Sequence, residues 1–196
     1  AELQKLYQSA QVVVAEQRLP LVTIALSSLR QLSQKQYRLF RENFKTLVEI
    51  DKKMSLLEWA LQKIVMHSLE AVFGKDEAPY FGRKSLKKCK KSISVLLSLL
   101  THSTVQDGIS NEETFAAGAA ALDLSLQLIA VSKIDFGILN NALDDLADLK
   151  PLQKPALLKA CVRCITADGK IQAIETELLR AIAATIDCPM PPLLAD

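Results

Sequence analysis

The sequence predicts an all-α protein of about nine helices with no sheet. Three observations lead there. Apolar residues make up 49% of the chain and aromatics only 5%, so the core must be Leu, Ile, Val and Ala, and only six glycines interrupt a composition that favours helix. Apolar residues recur at the helical period, and no stretch reads as alternating strand. The chain also repeats itself at a fixed offset of 117 residues, which takes Asp51 to Asp168.

That offset pairs Ala25 with Ala142, Leu26 with Leu143, Leu29 with Leu146 and Leu32 with Leu149. It also pairs Gln36 with Gln153, Asp51 with Asp168, Lys53 with Lys170, Glu58 with Glu175 and Leu61 with Leu178. Nine identities fall between positions 25 and 61, where composition alone gives roughly two or three. The expected organisation is two related helical units around an insert. An N-terminal helix takes residues 1–19 and a first unit 20–74. A middle helical insert with a basic face takes 75–133, and a second unit with a Pro-rich tail takes 134–196.

In order, Leu3 to Glu16 is expected as a first helix, ended by Arg18-Leu19-Pro20 because Pro fits a first turn better than an interior. Pro20 to Gln31 follows, with Leu21, Ile24, Ala25 and Leu29 as its stripe. Ser33 caps a helix from Gln34 to Ile50 that buries Tyr37, Phe40, Phe44, Leu47 and Val48. After the Asp51 turn, Ser55 and Glu58 form a capping box for a helix to about Val72. Gly74 to Gly82 is a loop. In the insert, Ser85 caps Leu86 to Leu100, and Glu112 to Val131 forms a second helix whose Ala116–Ala121 run permits close approach. The second unit holds Phe136 to Leu149, Leu152 to Thr166, the Asp168 turn and Gln172 to Ile186. The tail from Pro189 is an extended strap.

The net charge of +2 argues against a general pull toward nucleic acid. No apolar run reaches the roughly 20 residues of a membrane span. There is no signal-peptide pattern and no initiator Met, so the chain is expected to be a piece of a longer protein. The four cysteines stand in no regular framework, which suggests reduced thiols and a cytosolic setting.

The Asp168 turn is the first candidate site. Asp168, Gly169, Ile171 and Glu175 match the second half of a calcium-binding loop, but Cys164 and Thr166 stand where further oxygen ligands belong. In the first unit Leu47 takes the leading ligand place and Lys52 replaces the Gly. Asp51, Ser55, Glu58, Asp168, Gly169 and Glu175 therefore read as structural turns and caps. Asp51, Glu58, Asp168 and Glu175 remain the candidates for a divalent cation. Cys161 and Cys164 form a lone C-x-x-C, and the repeat pairs them with Phe44 and Leu47, so they read as core. His67 and His102 are isolated, and no catalytic motif is present. No cofactor is expected in this chain.

Arg83, Lys84, Lys87, Lys88, Lys90 and Lys91 put six cations within nine residues. This is either a solvated face or a contact for anionic headgroups. The lack of accompanying aromatics argues against nucleic acid. Asp144, Asp145 and Asp148 form an acidic patch, either solvated or docked on the basic stretch.

Two resemblances follow from these residues. The Asp168-Gly-x-Ile-x-x-x-Glu175 turn with Leu178-Leu-Arg-Ala-Ile-Ala183 resembles the signature of TerB-like helical domains of tellurite resistance. It covers about the last 50 residues and, more weakly, 20–72. Most of the chain is similar to the C-terminal cytosolic region of bacterial HtpX-type membrane zinc metallopeptidases. Arg18-Leu-Pro-Leu21, Ala25-Leu26, Leu29-Arg-Gln-Leu-Ser33, Gln36-Tyr37, Phe40, Leu56-Leu-Glu-Trp-Ala-Leu-Gln62, Phe115-Ala-Ala-Gly118 and Leu178 to Pro189 carry it. In that family zinc is bound by an H-E-x-x-H that this chain lacks, so no catalytic residue carries over. The resemblance implies a non-catalytic accessory domain on the cytoplasmic side of the inner membrane, binding a protein partner, the parent protease domain or the membrane surface. The alternative is a stand-alone TerB-like stress-response module binding a divalent cation or a partner.

Overall fold

The computed structural model describes Ser9 and residues 12–50, 55–74, 82–103 and 108–190. Among these the fold is all-helical, without a strand. Eight α-helices are present among the described residues: α1 Ala15–Leu29, α2 Gln34–Ile50, α3 Leu56–Phe73, α4 Lys90–Ser103, α5 Asn111–Ala120, α6 Phe136–Ala147, α7 Lys154–Ile165 and α8 Ala173–Thr185. The Asp51 turn, residues 75–81, Asp107 and the tail from Pro191 lie outside the described residues, as does most of the expected first helix.

The chain forms two compact units, 1–75 and 76–196. In the first, α1 packs on α3. Leu26, Tyr37, Val65 and Leu69 are its buried centre, with Val22, Leu29, Phe40, Ile64 and Phe73 against them. Tyr37 stacks on Phe73 with ring centroids 4.5 Å apart. The break expected at Pro20 does not occur, because α1 runs through it. A proline here gives up its N–H bond and crowds the carbonyl one turn before it, a cost set against burial of the Val22, Leu26 and Leu29 stripe beyond it. The 19/20 boundary is therefore inside a helix. Ser33 and Gln36 cap α2 reciprocally: the Ser33 N–H donates to Gln36 Oε1 at 2.8 Å and Gln36 N–H to Ser33 Oγ at 3.3 Å. On α2 Tyr37 is buried, but Leu47 is 66% exposed rather than core.

In the second unit α4 is the central helix. It packs against α5, α6, α7 and α8, and its run from Ile93 to Ser98 is continuously buried. The stretch expected as an insert is thus the core of the unit that follows it. A helix apolar on most of its circumference needs neighbours on all sides, and α6–α8 supply them. Gly118 lets α5 approach α7: a Cβ there would stand 3.1 Å from both the Ala160 carbonyl oxygen and Cys164 Cβ.

Three boundaries differ from expectation. Leu86–Cys89 is a 3-10 turn before α4, and Ser85 makes no side-chain cap; the Gln153 side chain accepts the Leu86 N–H at 2.8 Å instead. Pro151–Gln153 is a 3-10 turn before α7. The helix expected to reach Val131 ends at Ala120, and residues 124–130 take no regular secondary structure.

Candidate functional site

The basic stretch divides in two. Residues 82–84 run alongside 148–150. The Lys84 N–H donates to the Asp148 carbonyl at 2.8 Å, and the Lys150 N–H donates back to the Lys84 carbonyl at 3.0 Å. This fixes the Lys84 side chain over α6, with Nζ 2.7 Å from Asp145 Oδ1 and 3.4 Å from Asp148 Oδ2. Ser92 Oγ donates to the other Asp145 oxygen. The Asp145 hydrogen bond, with help from Asp148, raises the Lys84 pKa. Burial works against the Asp145 carboxylate, but Lys84 and Ser92 outweigh it and hold the carboxyl below its usual range. So Lys84 leaves the expected cationic face and serves an internal ion pair. Asp145 and Asp148 of the acidic patch are its partners, while Asp144 stays exposed.

Arg83, Lys87, Lys88, Lys90 and Lys91 are exposed. Lys90 and Lys91 open α4, whose first turn holds no acid. A helix N-terminus is itself positive, so these cations add to the end dipole rather than offset it. The result is a concentration of exposed positive charge at this end of α4.

The Asp168 turn is closed from within. Asp168 Oδ1 accepts the Lys170 N–H at 2.9 Å, and Gly169 takes φ +74°, which its missing Cβ permits. Glu175 accepts the Gln172 N–H at 2.7 Å and so closes the start of α8. Ser55 and Glu58 do the same for α3, with Ser55 N–H donating at 2.7 Å and Glu58 N–H returning at 3.2 Å. Those Ser55 bonds hold the Glu58 carboxyl below its usual range. Glu175 differs: it is 1% exposed and its Oε1 has no partner. Burial pushes its pKa up, and the neighbouring Asp168 charge pushes the same way. Among the described residues no group of three or more His, Cys, Asp or Glu is arranged to hold a metal.

Cys161 and Cys164 are buried on α7. Burial pushes the Cys164 thiol up to about 11, and the Cys161 thiol higher still. Cys164 Sγ lies 3.3 Å from Thr101 Oγ1. These are core thiols without nucleophilic character. His67 lies half-buried on α3.

The fourth arrangement is one that sequence reasoning missed. Ser94, Ser98 and His102 lie four residues apart along one face of α4. Ser94 Oγ accepts the Gln127 N–H at 3.2 Å, and Ser98 Oγ accepts the Ile129 N–H at 2.9 Å. His102 Nε2 lies 2.9 Å from the Ile129 carbonyl oxygen. Four helical residues rise ~6 Å and two extended residues advance ~6.7 Å, so the two rows stay in step. One helix face thus replaces a neighbouring strand. The available signal was the pair of serines on the apolar face of α4, where a buried hydroxyl needs a partner.

No helix among the described residues is long and apolar enough to cross a membrane. No protein-family pattern, curated protein or solved structure matches the chain.

Proposed function

We propose that the chain is a non-catalytic interaction module that contacts an anionic surface through Arg83, Lys87, Lys88, Lys90 and Lys91. The observation that carries this reading is the exposure of all five cations at the positive end of α4 while Lys84 is tied to Asp145 and Asp148. Each cation near an anionic bilayer contributes about 1 kcal/mol. Reversing two of them with Lys87→Glu and Lys88→Glu removes two attractions, so vesicle affinity falls by roughly thirty-fold or more. The assay is co-sedimentation with phosphatidylserine-containing vesicles across a salt series. Binding retained in the double variant refutes the reading.

The resemblance described above supports reading this module as an accessory part of a membrane zinc metallopeptidase. Reading the encoding frame upstream for membrane helices and H-E-x-x-H tests that parentage. The internal repeat belongs to the same reading. It is supported by the starts of α3 at Leu56 and α8 at Ala173, each preceded by a cap at Ser55 or Gln172 and followed by Glu58 or Glu175.

A second reading, a divalent cation at Asp168 and Glu175, has one observation in its favour: the partnerless Glu175 oxygen near the Asp168 charge. It predicts a thermal shift with calcium or magnesium that vanishes in Asp168→Ala. No shift at millimolar ion removes it.

A further inference from the structure

Residues 126–129 bond to α4 at every second residue, the pattern of a strand with one backbone edge engaged. In an extended chain successive residues point their N–H and C=O groups to opposite sides. Gln127 and Ile129 face α4 and are satisfied by Ser94, Ser98 and His102. Leu126 and Leu128 alternate with them, and among the described residues no hydrogen bond engages their backbone groups. Such an edge is a template for another strand. Beside it lies a cleft of about 570 Å³, lined by Phe115, Ala116, Ala119 and Ala120 of α5 and by Leu124 and Leu126. Small side chains on α5 keep it open.

The segment that lines the cleft carries an acid and no base. From Ser92 to Ser132 the chain contains no Lys or Arg. Glu112 is exposed one helical turn before Ala116, and exposed Asp123 lines the cleft beyond the end of α5. We propose that this edge takes up an extended peptide carrying Lys or Arg. The peptide would pair its backbone with Leu126 and Leu128, lay an apolar side chain against Ala116, Ala119 and Ala120, and set its cations beside Glu112 and Asp123. This is strand addition onto an edge that a helix supports from behind. It uses none of the lysines of the anionic-surface reading, and its test stands whether or not vesicles bind.

The probe is a fluorescein-labelled octapeptide of alternating Val and Lys, read by fluorescence anisotropy on the full chain. The expected result is salt-sensitive binding. It weakens at least tenfold when alternate backbone nitrogens are methylated, or when Lys is replaced by Glu. Leu126→Pro removes an outward N–H without touching a bond to α4, and Ala120→Trp fills the cleft; each also weakens binding at least tenfold. Glu112→Gln with Asp123→Asn flattens the salt dependence, and Asn tolerates the positive φ of 49° at Asp123. No binding at millimolar peptide overturns the proposal, as does equal binding of the methylated peptide. Unchanged binding in folded Leu126→Pro and Ala120→Trp also overturns it. A concentration-dependent dimer that Leu126→Pro abolishes gives the edge to a second copy of this chain and likewise overturns the peptide.

Discussion

Gly82→Ala tests whether the 82–84 crossing holds α4 to α6. A Cβ at Gly82 would stand 2.5 Å from both the carbonyl carbon and oxygen of Asp148, and closer still to the Leu149 carbonyl oxygen. Those are backbone atoms, so no side-chain rotation relieves the clash. The crossing must separate. It then loses Lys84 N–H to Asp148 at 2.8 Å, Lys150 N–H to Lys84 at 3.0 Å and Arg83 N–H to Asp148 Oδ1 at 3.1 Å. At about 1 kcal/mol for each bond, some of it regained from water, and about 1–3 kcal/mol for overpacking, the loss is about 3–5 kcal/mol. Gly118→Ala is the control. Its Cβ would meet Ala160 O and Cys164 Cβ at 3.1 Å and Leu97 Cδ2 at 3.4 Å. Those contacts need a shift of tenths of an ångström, and helix propensity returns about 1 kcal/mol. The net change is within about 1 kcal/mol. Urea unfolding of both variants against the parent measures the difference. A Gly82→Ala loss below about 1 kcal/mol, or equal losses in the two variants, refutes the clamp.

Ser98→Ala leaves the Ile129 N–H without its 2.9 Å acceptor and costs about 1–3 kcal/mol; amide exchange at Ile129 should accelerate, while Ser92→Ala leaves that amide unchanged. Thiol labelling with a disulfide reagent at pH 8 should leave Cys89, Cys161 and Cys164 unreacted until the protein unfolds, because burial pushes Cys89 and Cys164 each up to about 11 and Cys161 higher still; rapid modification of the native protein would contradict their burial. Glu175 and Glu58 should give opposite pH profiles. Glu175 titrates higher in the fold than when unfolded, so its destabilising effect is absent below the unfolded pKa and complete above the folded one. Glu58 titrates lower in the fold, so its contribution is present above the unfolded pKa and is lost as pH falls through the folded value. Chemical denaturation of Glu175→Gln and Glu58→Gln from pH 3 to 8 separates the two slopes.

Local chemistry was legible in the sequence and distant chemistry was not. Ser55 with Glu58 and Gln172 with Glu175 place the starts of α3 and α8, because a capping box spans only three residues. The non-helical run at 124–130 was misread because the Ala116–Ala121 stretch carries helix propensity into it. Leu124-Ser125-Leu126-Gln127-Leu128 alternates at a strand period, but the contact that decides the matter is with serines 33 and 31 residues earlier. Lys84 was counted with its neighbours for the same reason, since Asp145 lies 61 residues on.

The pairing of Leu47 with Cys164 shows how equal local patterns part in three dimensions. Both positions fall late in a helix, at matching places under the 117-residue offset. Leu47 is 66% exposed and Cys164 is 0% exposed. What differs is the cover. Cys164 faces Leu97 and Thr101 of α4 and Gly118 of α5, and the first unit has no such pair among its described helices. A thiol fits under α4 and α5 where a leucine would not, since Gly118 already brings the backbones to van der Waals contact. Cys164→Leu should therefore destabilise through overpacking by about 1–3 kcal/mol, whereas Leu47→Cys should change stability by no more than about 0.5 kcal/mol. Equal effects at the two sites would mean that α4 and α5 do not cover α7 as described.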